Sequence, residues 1–469
     1  MSTSYDVIVI GAGPAGENAA QYAVQRGLSV VIVEGDLVGG ECSYWGCMPS
    51  KALLRPTEAL AAVRRVPAAA GAVTGEVDVA ATLRSRDAFT SGWQDDGQVA
   101  WLEGEGVTLL RGWGRLTGER TVAVEHTDGT ASTLTASRGV VLAVGSRAAD
   151  PPIPGLADTR TWDNRDVTGI TDLPDRLLVL GGGVIGLEMA QALRRLGVGA
   201  VTVIEALDRV LATEEPAASE ALHDALTADG VTIEVGARAE RIARDDDSEV
   251  SVTLADGRVL TGDELLVAVG RRAPTEGLGL DSIGVEAGRG GFIAVDDHLR
   301  VPGHDWLYVV GDTNGRALLT HQGKYQARLV GDALAGLDVD PAWADTLAVP
   351  RVVFTDPQVA AVGATAAAAR EQGIAAQVVT YDLGHTAGGA LLGQGAGGPA
   401  TLVIDPERRV IVGATFVGAS AGELLHAATI AIVGEVPLER LWHAVPAFPT
   451  VSEVWLRLLE EVRSAELAA

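Results

Sequence analysis

The segment YDVIVIGAGPAGENAAQYAVQRGLSVVIVEG, residues 5–35, decides the fold. An apolar run reads as a buried strand and runs into the glycines Gly11, Gly13 and Gly16, spaced G-x-G-x-x-G. An amphipathic stretch then reads as a helix, and a second apolar run ends on Glu34. The same order returns in RLLVLGGGVIGLEMAQALRRLGVGAVTVIEA from Arg176, with Gly181, Gly183, Gly186 and a closing Glu205. One such glycine pattern alone is weak. Between a strand and a helix, with an acidic residue some 20 positions on, it marks a dinucleotide site. The first glycine permits a tight turn, the second lets the backbone approach a pyrophosphate, and the third packs helix on strand. The pyrophosphate rests on the unpaired N–H groups of the helix N-terminus. Glu34 and Glu205 can each take a ribose hydroxyl pair. Glu205 therefore argues for NADH, and Arg209 nearby leaves NADPH as the less favoured alternative.

Composition narrows the function classes. The chain has 469 residues, a net charge of −26 and 47% hydrophobic residues, enough for about three domains. That negative charge repels polyanions, so nucleic acid is excluded as a partner. No apolar run approaches the ~18 residues of a membrane span, and the N-terminus lacks the basic region of a signal peptide. A soluble cytoplasmic protein is expected.

The two glycine units organise the rest of the chain. GVVLAVGSRAADPPIPG, 139–155, reads as a buried strand, a turn at Gly145 and a proline-rich exit. ELLVAVGRRAPT repeats that pattern around Gly270. In WLYVVGDTNGRALLTHQGKYQARLV a strand ends at Gly311–Asp312, where Asp312 either caps a helix or holds a polyol hydroxyl. From about residue 347 the pattern changes to antiparallel strands with helices. The glycine-rich stretch 384–400 reads as a mobile loop. The expected fold class is α/β, with two Rossmann-like dinucleotide-binding domains and a C-terminal α+β domain. The expected boundaries are 1–150 and 271–346 for the first domain, 151–270 for the second and 347–469 for the third.

The only cysteines, Cys42 and Cys47, lie in GGECSYWGCMPSKALLRP, 39–56. A disulfide needs Cα atoms ~4.4–6.8 Å apart, whereas five helical residues rise about 7.5 Å. A distorted turn, which Gly46 allows, must bring them together. PSKALL then reads as a helix start that stabilises a Cys47 thiolate. Lysine occurs only at 51 and 324, so Lys51 one turn after Cys47 stands out against an arginine background. The alternative is a pair of buried, reduced and idle cysteines.

These motifs, with GRRAPT, VVGD and the C-terminal PTVSE, resemble the flavoprotein disulfide reductases, most closely the dihydrolipoamide dehydrogenase branch. The resemblance runs nearly end to end. It implies FAD on the first unit, at Gly11, Gly13, Gly16, Glu34, Gly40, Lys51, Gly114, Gly145, Asp312 and Thr320. It implies NAD(H) on the second, at Gly181, Gly183, Gly186, Glu205 and Gly270. Hydride would pass from NADH to flavin and on to Cys42–Cys47. Cys47 would face the flavin, Cys42 would be the interchange thiol, Lys51 would pair with Glu188, and the third domain would join two copies as a homodimer. Glu453 matches the family's catalytic glutamate, but the histidine expected before Pro449 is Phe448. That loss handicaps thiol exchange, and neither His443 nor His321 stands at the family's position. Mercuric reductase is disfavoured for want of C-terminal cysteines. Tyr44, Trp45 and Phe448 read either as packing at a subunit interface or as an aromatic platform for a quinone acceptor. A flavin redox sensor is a third reading.

Overall fold

The computed structural model describes residues 3–245 and 249–468. Two compact units emerge, one built from 1–49, 86–149 and 270–345, the other from 50–85, 150–269 and 346–469. Five helices position the site: α1 (Pro14–Gln25), α2 (Gly40–Tyr44), α3 (Cys47–Arg65), α4 (Val184–Leu196) and α5 (Thr320–Leu334).

In the first unit, strand Ser4–Ile10 lies between Val30–Glu34 and Ala131–Leu142, parallel to both. Leu307–Val309 extends the parallel run. Thr108–Gly118 joins the other edge, parallel to Val30–Glu34, and turns back antiparallel through Thr121–His126. Val7, Ile8 and Val9 are fully buried, as expected for a central parallel strand covered on both faces. Their unbroken apolar run, instead of an alternating one, is the sequence form of that burial. Helices α1 and α5 pack against each other.

In the second unit four parallel strands run in the order Glu264–Val267, Arg176–Leu180, Ala200–Ile204, Val231–Glu234. A three-stranded antiparallel sheet, Ala239–Asp245, Glu249–Leu254 and Val259–Gly262, accompanies them. The C-terminal part is a five-stranded antiparallel sheet in the order 351–353, 358–363, 410–418, 399–405, 377–382. Its core gathers Phe416, Leu402, Val454 and Leu458, all fully buried. The α/β class with an antiparallel C-terminal domain thus stands as expected.

The stretch 384–400 differs from the expected loop. It contains a helix, Ala387–Leu391, opened by Thr386, whose Oγ1 accepts the Gly389 N–H at 3.0 Å. A threonine N-cap offset the low helix propensity of its glycines.

Candidate active site

The thiol pair belongs to the first unit up to residue 49. Gly39 and Gly40 adopt φ of +108° and +57°, left-handed values that favour glycine. A Cβ on Gly40 would stand 2.9 Å from the Gly13 Cα, so α2 starts directly against the glycine turn that opens α1. After Tyr44 the chain turns, with the Trp45 N–H on the Glu41 carbonyl at 2.8 Å, and α3 begins at Cys47. That turn delivers the two thiols to each other. Both are half-buried. Cys47 Sγ lies 3.4 Å from Thr320 Oγ1, at the start of α5. The hydrogen bond with Cys47, and then burial, push the Cys42 thiol up, with Thr320 and Lys324 partly opposing.

Around it lies a cradle for a dinucleotide. Glu34 accepts the N–H groups of Ala12 and Asp36, both at 2.7 Å. Burial raises its carboxyl while those two bonds lower it. Gly13, the residue before α1, supplies no side-chain cap, and a Cβ there would meet nothing within 4 Å. The first-turn N–H groups of α1 are thus left for a phosphate. Glu17 is buried, and its Oε1 has no partner among the described residues. Burial raises its carboxyl to about 7. Gly114 sits on Ile10, 3.3 Å from a built Cβ, and the Gly145 N–H donates to Thr313 Oγ1 at 2.9 Å. Asp312 accepts the Ser146 hydroxyl at 2.5 Å, and burial raises its carboxyl. Arg271 donates to Ser146 Oγ and its carbonyl at 2.7 and 2.6 Å. An orphaned buried carboxyl, an uncapped helix start and a buried acid beside a hydroxyl fit a phosphate-bearing polyol such as FAD.

In the second unit Lys51 donates to Glu188 at 2.8 Å. Glu188 also accepts the Phe354 N–H at 2.9 Å, and the ammonium stands 4.7 Å from the Phe354 ring centroid. Glu188 is almost wholly buried, whereas the Lys51 side chain is 34% exposed. Lys51→Met is accordingly expected to cost about 1–2 kcal/mol, less than the full penalty for stranding a buried charge because Lys51 is itself partly solvated and the Phe354 N–H still donates to Glu188. A urea unfolding midpoint reads this, and no loss would show the pair to be idle. Glu205 accepts the N–H groups of Gly182 and Leu207, both at 2.7 Å, repeating the Glu34 arrangement. Gly183 likewise precedes α4 without a side-chain cap and faces room, while Gly186 packs on Gly181, whose carbonyl a Cβ would strike at 2.1 Å. Gly270 belongs to the first unit, its carbonyl accepting the Ala149 N–H at 3.0 Å.

Residues 5–327 match the family model of the pyridine nucleotide-disulphide oxidoreductases, and 349–458 match that family's dimerisation domain. The chain belongs to this family. It is 32% identical to dihydrolipoyl dehydrogenase of Chlamydia muridarum, covering 97% of this chain and 96% of the relative. It is 29% identical to mercuric reductase of Staphylococcus aureus, covering 96% and 81%. Among solved structures, LpdA of Mycobacterium tuberculosis superposes with a TM-score of 0.86 at 26% identity, covering 98% and 100%. The Cu(II) complex of the HOCl-induced flavoprotein disulfide reductase RclA of Escherichia coli gives 0.86 at 23%, covering 98% and 99%, a likeness of fold. The chain is thus a flavoprotein oxidoreductase whose family binds FAD and a pyridine nucleotide. No helix among the described residues is long and apolar enough to cross a membrane.

As a pyridine nucleotide-disulphide oxidoreductase it has several individual features. Tyr44 is no exposed platform: it is 3% exposed, and its hydroxyl donates to the Val38 carbonyl at 3.1 Å. Phe448, by contrast, is 76% exposed. Glu453 is buried, accepting from Arg457 at 2.6 Å and from the Ala387 N–H at 3.2 Å. Sequence reading missed Phe354, Glu17 and the Ser146–Arg271 pair. Only Glu17, an acid inside an apolar helix face, left a visible sign.

Proposed function

We propose that the chain passes electrons from NADH through FAD to Cys42–Cys47 and on to a disulfide acceptor, the reverse of the direction a dihydrolipoamide dehydrogenase is named for, and without an imidazole base. The paired thiols of α2 and α3, with Cys47 touching Thr320, are the observation that supports this best. FAD, when bound, supplies the two-electron carrier between nicotinamide and dithiol. Gly11, Gly13, Gly16 and Glu34 would hold its pyrophosphate and ribose, and Gly40, Gly114, Gly145, Asp312 and Thr320 would line the rest. Lys51, fixed by Glu188, would sit at the ring. Gly181, Gly183, Gly186, Glu205 and Gly270 would take NADH. Arg209 is committed to the carbonyls of Glu214 and Ala212 at 2.9 and 2.6 Å, which favours NADH over NADPH. Glu205→Ala should then raise the KM for NADH about 10-fold or more, the worth of a charged hydrogen-bond pair, with kcat nearly kept. An unchanged KM would remove Glu205 from the ribose site.

Thiol exchange in this scheme needs proton traffic. A Cys42 sulfur attacks the acceptor disulfide, one acceptor sulfur leaves as a thiol, and Cys47 closes the Cys42–Cys47 bond and expels the other. By resemblance the interface domain delivers Phe448 and Glu453 to the cysteines of a second copy in a cytoplasmic homodimer. Phenylalanine accepts no proton, so the scheme has no imidazole to take one from the attacking thiol. General acid–base help worth roughly 10²–10⁴-fold is missing.

That handicap favours a second reading, NADH-dependent reduction of a quinone or other electrophile, for which the exposed Phe448 offers a flat apolar contact. Steady-state turnover with NADH against lipoamide, glutathione disulfide and a soluble quinone separates the two. Turnover of a disulfide above that of every quinone supports the first reading. The reverse order supports the second.

A further inference from the structure

Away from the redox groups, the second unit contains a cavity of about 730 Å³ lined by two pairs of consecutive arginines, Arg64–Arg65 and Arg194–Arg195. Each pair lies in the last turn of its helix, α3 and α4. Helix C-termini favour cations there, which by itself explains one basic residue per helix. It does not explain four converging on one cavity in a chain of net charge −26. The lining includes two carboxylates, Glu76 and Asp229, and a third, Asp356, pairs with two of the arginines from behind, so the four guanidiniums leave a formal excess of one.

The two pairs divide the work. Arg65 and Arg195 are anchored, both donating to the buried Asp356 at 2.8–2.9 Å, and Arg195 also to Asp229 at 2.9 Å. Arg65 Nε is buried without a partner among the described residues. Arg64 and Arg194 are held more loosely. Arg64 donates to the Gly75 carbonyl and to Glu76, whose side chain is 82% exposed. Among the described residues Arg194 donates to carbonyls alone, those of Gly230 and Val198. Gly393 lets its loop lie against the end of α3, since a Cβ there would strike the Arg65 carbonyl at 2.4 Å.

We propose that this cavity binds a small polyvalent phosphate anion, gripped by Arg64 and Arg194 against the anchored Arg65 and Arg195. Guanidinium forks match phosphate oxygens two at a time, and the volume accommodates an inorganic pyrophosphate or a sugar bisphosphate.

The anchor also connects the cavity to Lys51–Glu188. Residues 188, 191 and 195 share one face of α4 and hold successive points of one strand-end segment. Glu188 takes the Phe354 N–H, Gln191 clasps the Asp356 main chain at 2.7 and 2.8 Å, and Arg195 takes the Asp356 carboxylate. An anion that competes with Asp356 for Arg65 and Arg195 loosens this segment, and with it the Phe354 contacts on Glu188 and Lys51. Binding stands independently of the proposed electron path; only the rate effect rests on it.

The test is calorimetric titration of the FAD-loaded enzyme, with NAD⁺ saturating, by inorganic pyrophosphate and separately by fructose 1,6-bisphosphate. The comparison is an Arg64→Gln/Arg194→Gln variant, which keeps the Asp356 anchor. One site per chain, weakened at least 10-fold in the variant, is expected. Pyrophosphate binding alone identifies a free phosphate as ligand, and preference for the bisphosphate identifies a phosphorylated metabolite. No binding of either, or equal binding by the variant, overturns the site. Stopped-flow flavin reduction by NADH, with and without the anion, should differ more than twofold in wild type and not in the variant. Binding with unchanged rates overturns the connection to Lys51 and leaves the site.

Discussion

Cys42→Ser is expected to cut NADH-driven disulfide reduction by at least about 10³-fold, as losing a covalent nucleophile does, while NADH:quinone turnover stays within about twofold. Serine keeps the size and the hydrogen bond but cannot form the mixed disulfide on which exchange depends. The site geometry gives the split its meaning. Cys42 sits on α2 and Cys47 opens α3, so the substitution leaves the Thr320 contact of Cys47 and the Lys51–Glu188 pair in place. Electrons that reach a quinone without the dithiol should not notice the change. Parallel loss with both acceptors would place Cys42 in every route, and unchanged disulfide turnover would remove it from the chemistry.

A second large effect is expected at Glu17. Its carboxyl is raised from the ordinary 4.5 to about 7, first by burial and then by Glu34, with Lys324 opposing. The folded protein thus keeps a proton that the unfolded chain releases near 4.5. Between those values the folded state binds more protons, so stability falls as pH rises, and the whole penalty is present above pH 7. The shift corresponds to about 3 kcal/mol. Glutamine removes the titration but keeps the shape. The stability of Glu17→Gln relative to wild type should therefore rise by about 3 kcal/mol from pH 4.5 to pH 8. A bound dinucleotide phosphate pushes the carboxyl further up, so the sign holds in the loaded protein. Urea midpoints across that range measure it. Parallel curves for the two proteins would mean that Glu17 ionises normally and is not desolvated.

Much of this arrangement is legible in the sequence because it is local. The glycine turns and their closing acids lie within one strand–helix–strand unit, so spacing alone brings Glu34 to the Ala12 N–H and Glu205 to the Gly182 N–H. The buried parallel strands announce themselves as unbroken apolar runs, and the change of pattern near 347 marks the antiparallel domain. What stayed hidden depends on contacts between distant residues. Phe354 reaches Glu188 across 166 positions, and Arg65 reaches Asp356 across 291. No periodicity encodes such pairings. Sequence leaves Tyr44 open between packing and an exposed platform, and its hydroxyl, satisfying a carbonyl inside the first unit, decides for packing. The helix at 387–391 was misread because glycine content outweighed the capping threonine.

On the proposed function Cys42–Cys47 lies in the electron path from NADH. Anaerobic titration of the FAD-loaded enzyme with NADH, on wild type and Cys42→Ser, tests it most directly. Wild type should take up more reducing equivalents than its flavin alone can hold, and the variant only those of the flavin. Equal uptake by the two proteins, at the flavin's own capacity, would contradict the account and leave the cysteines as bystanders.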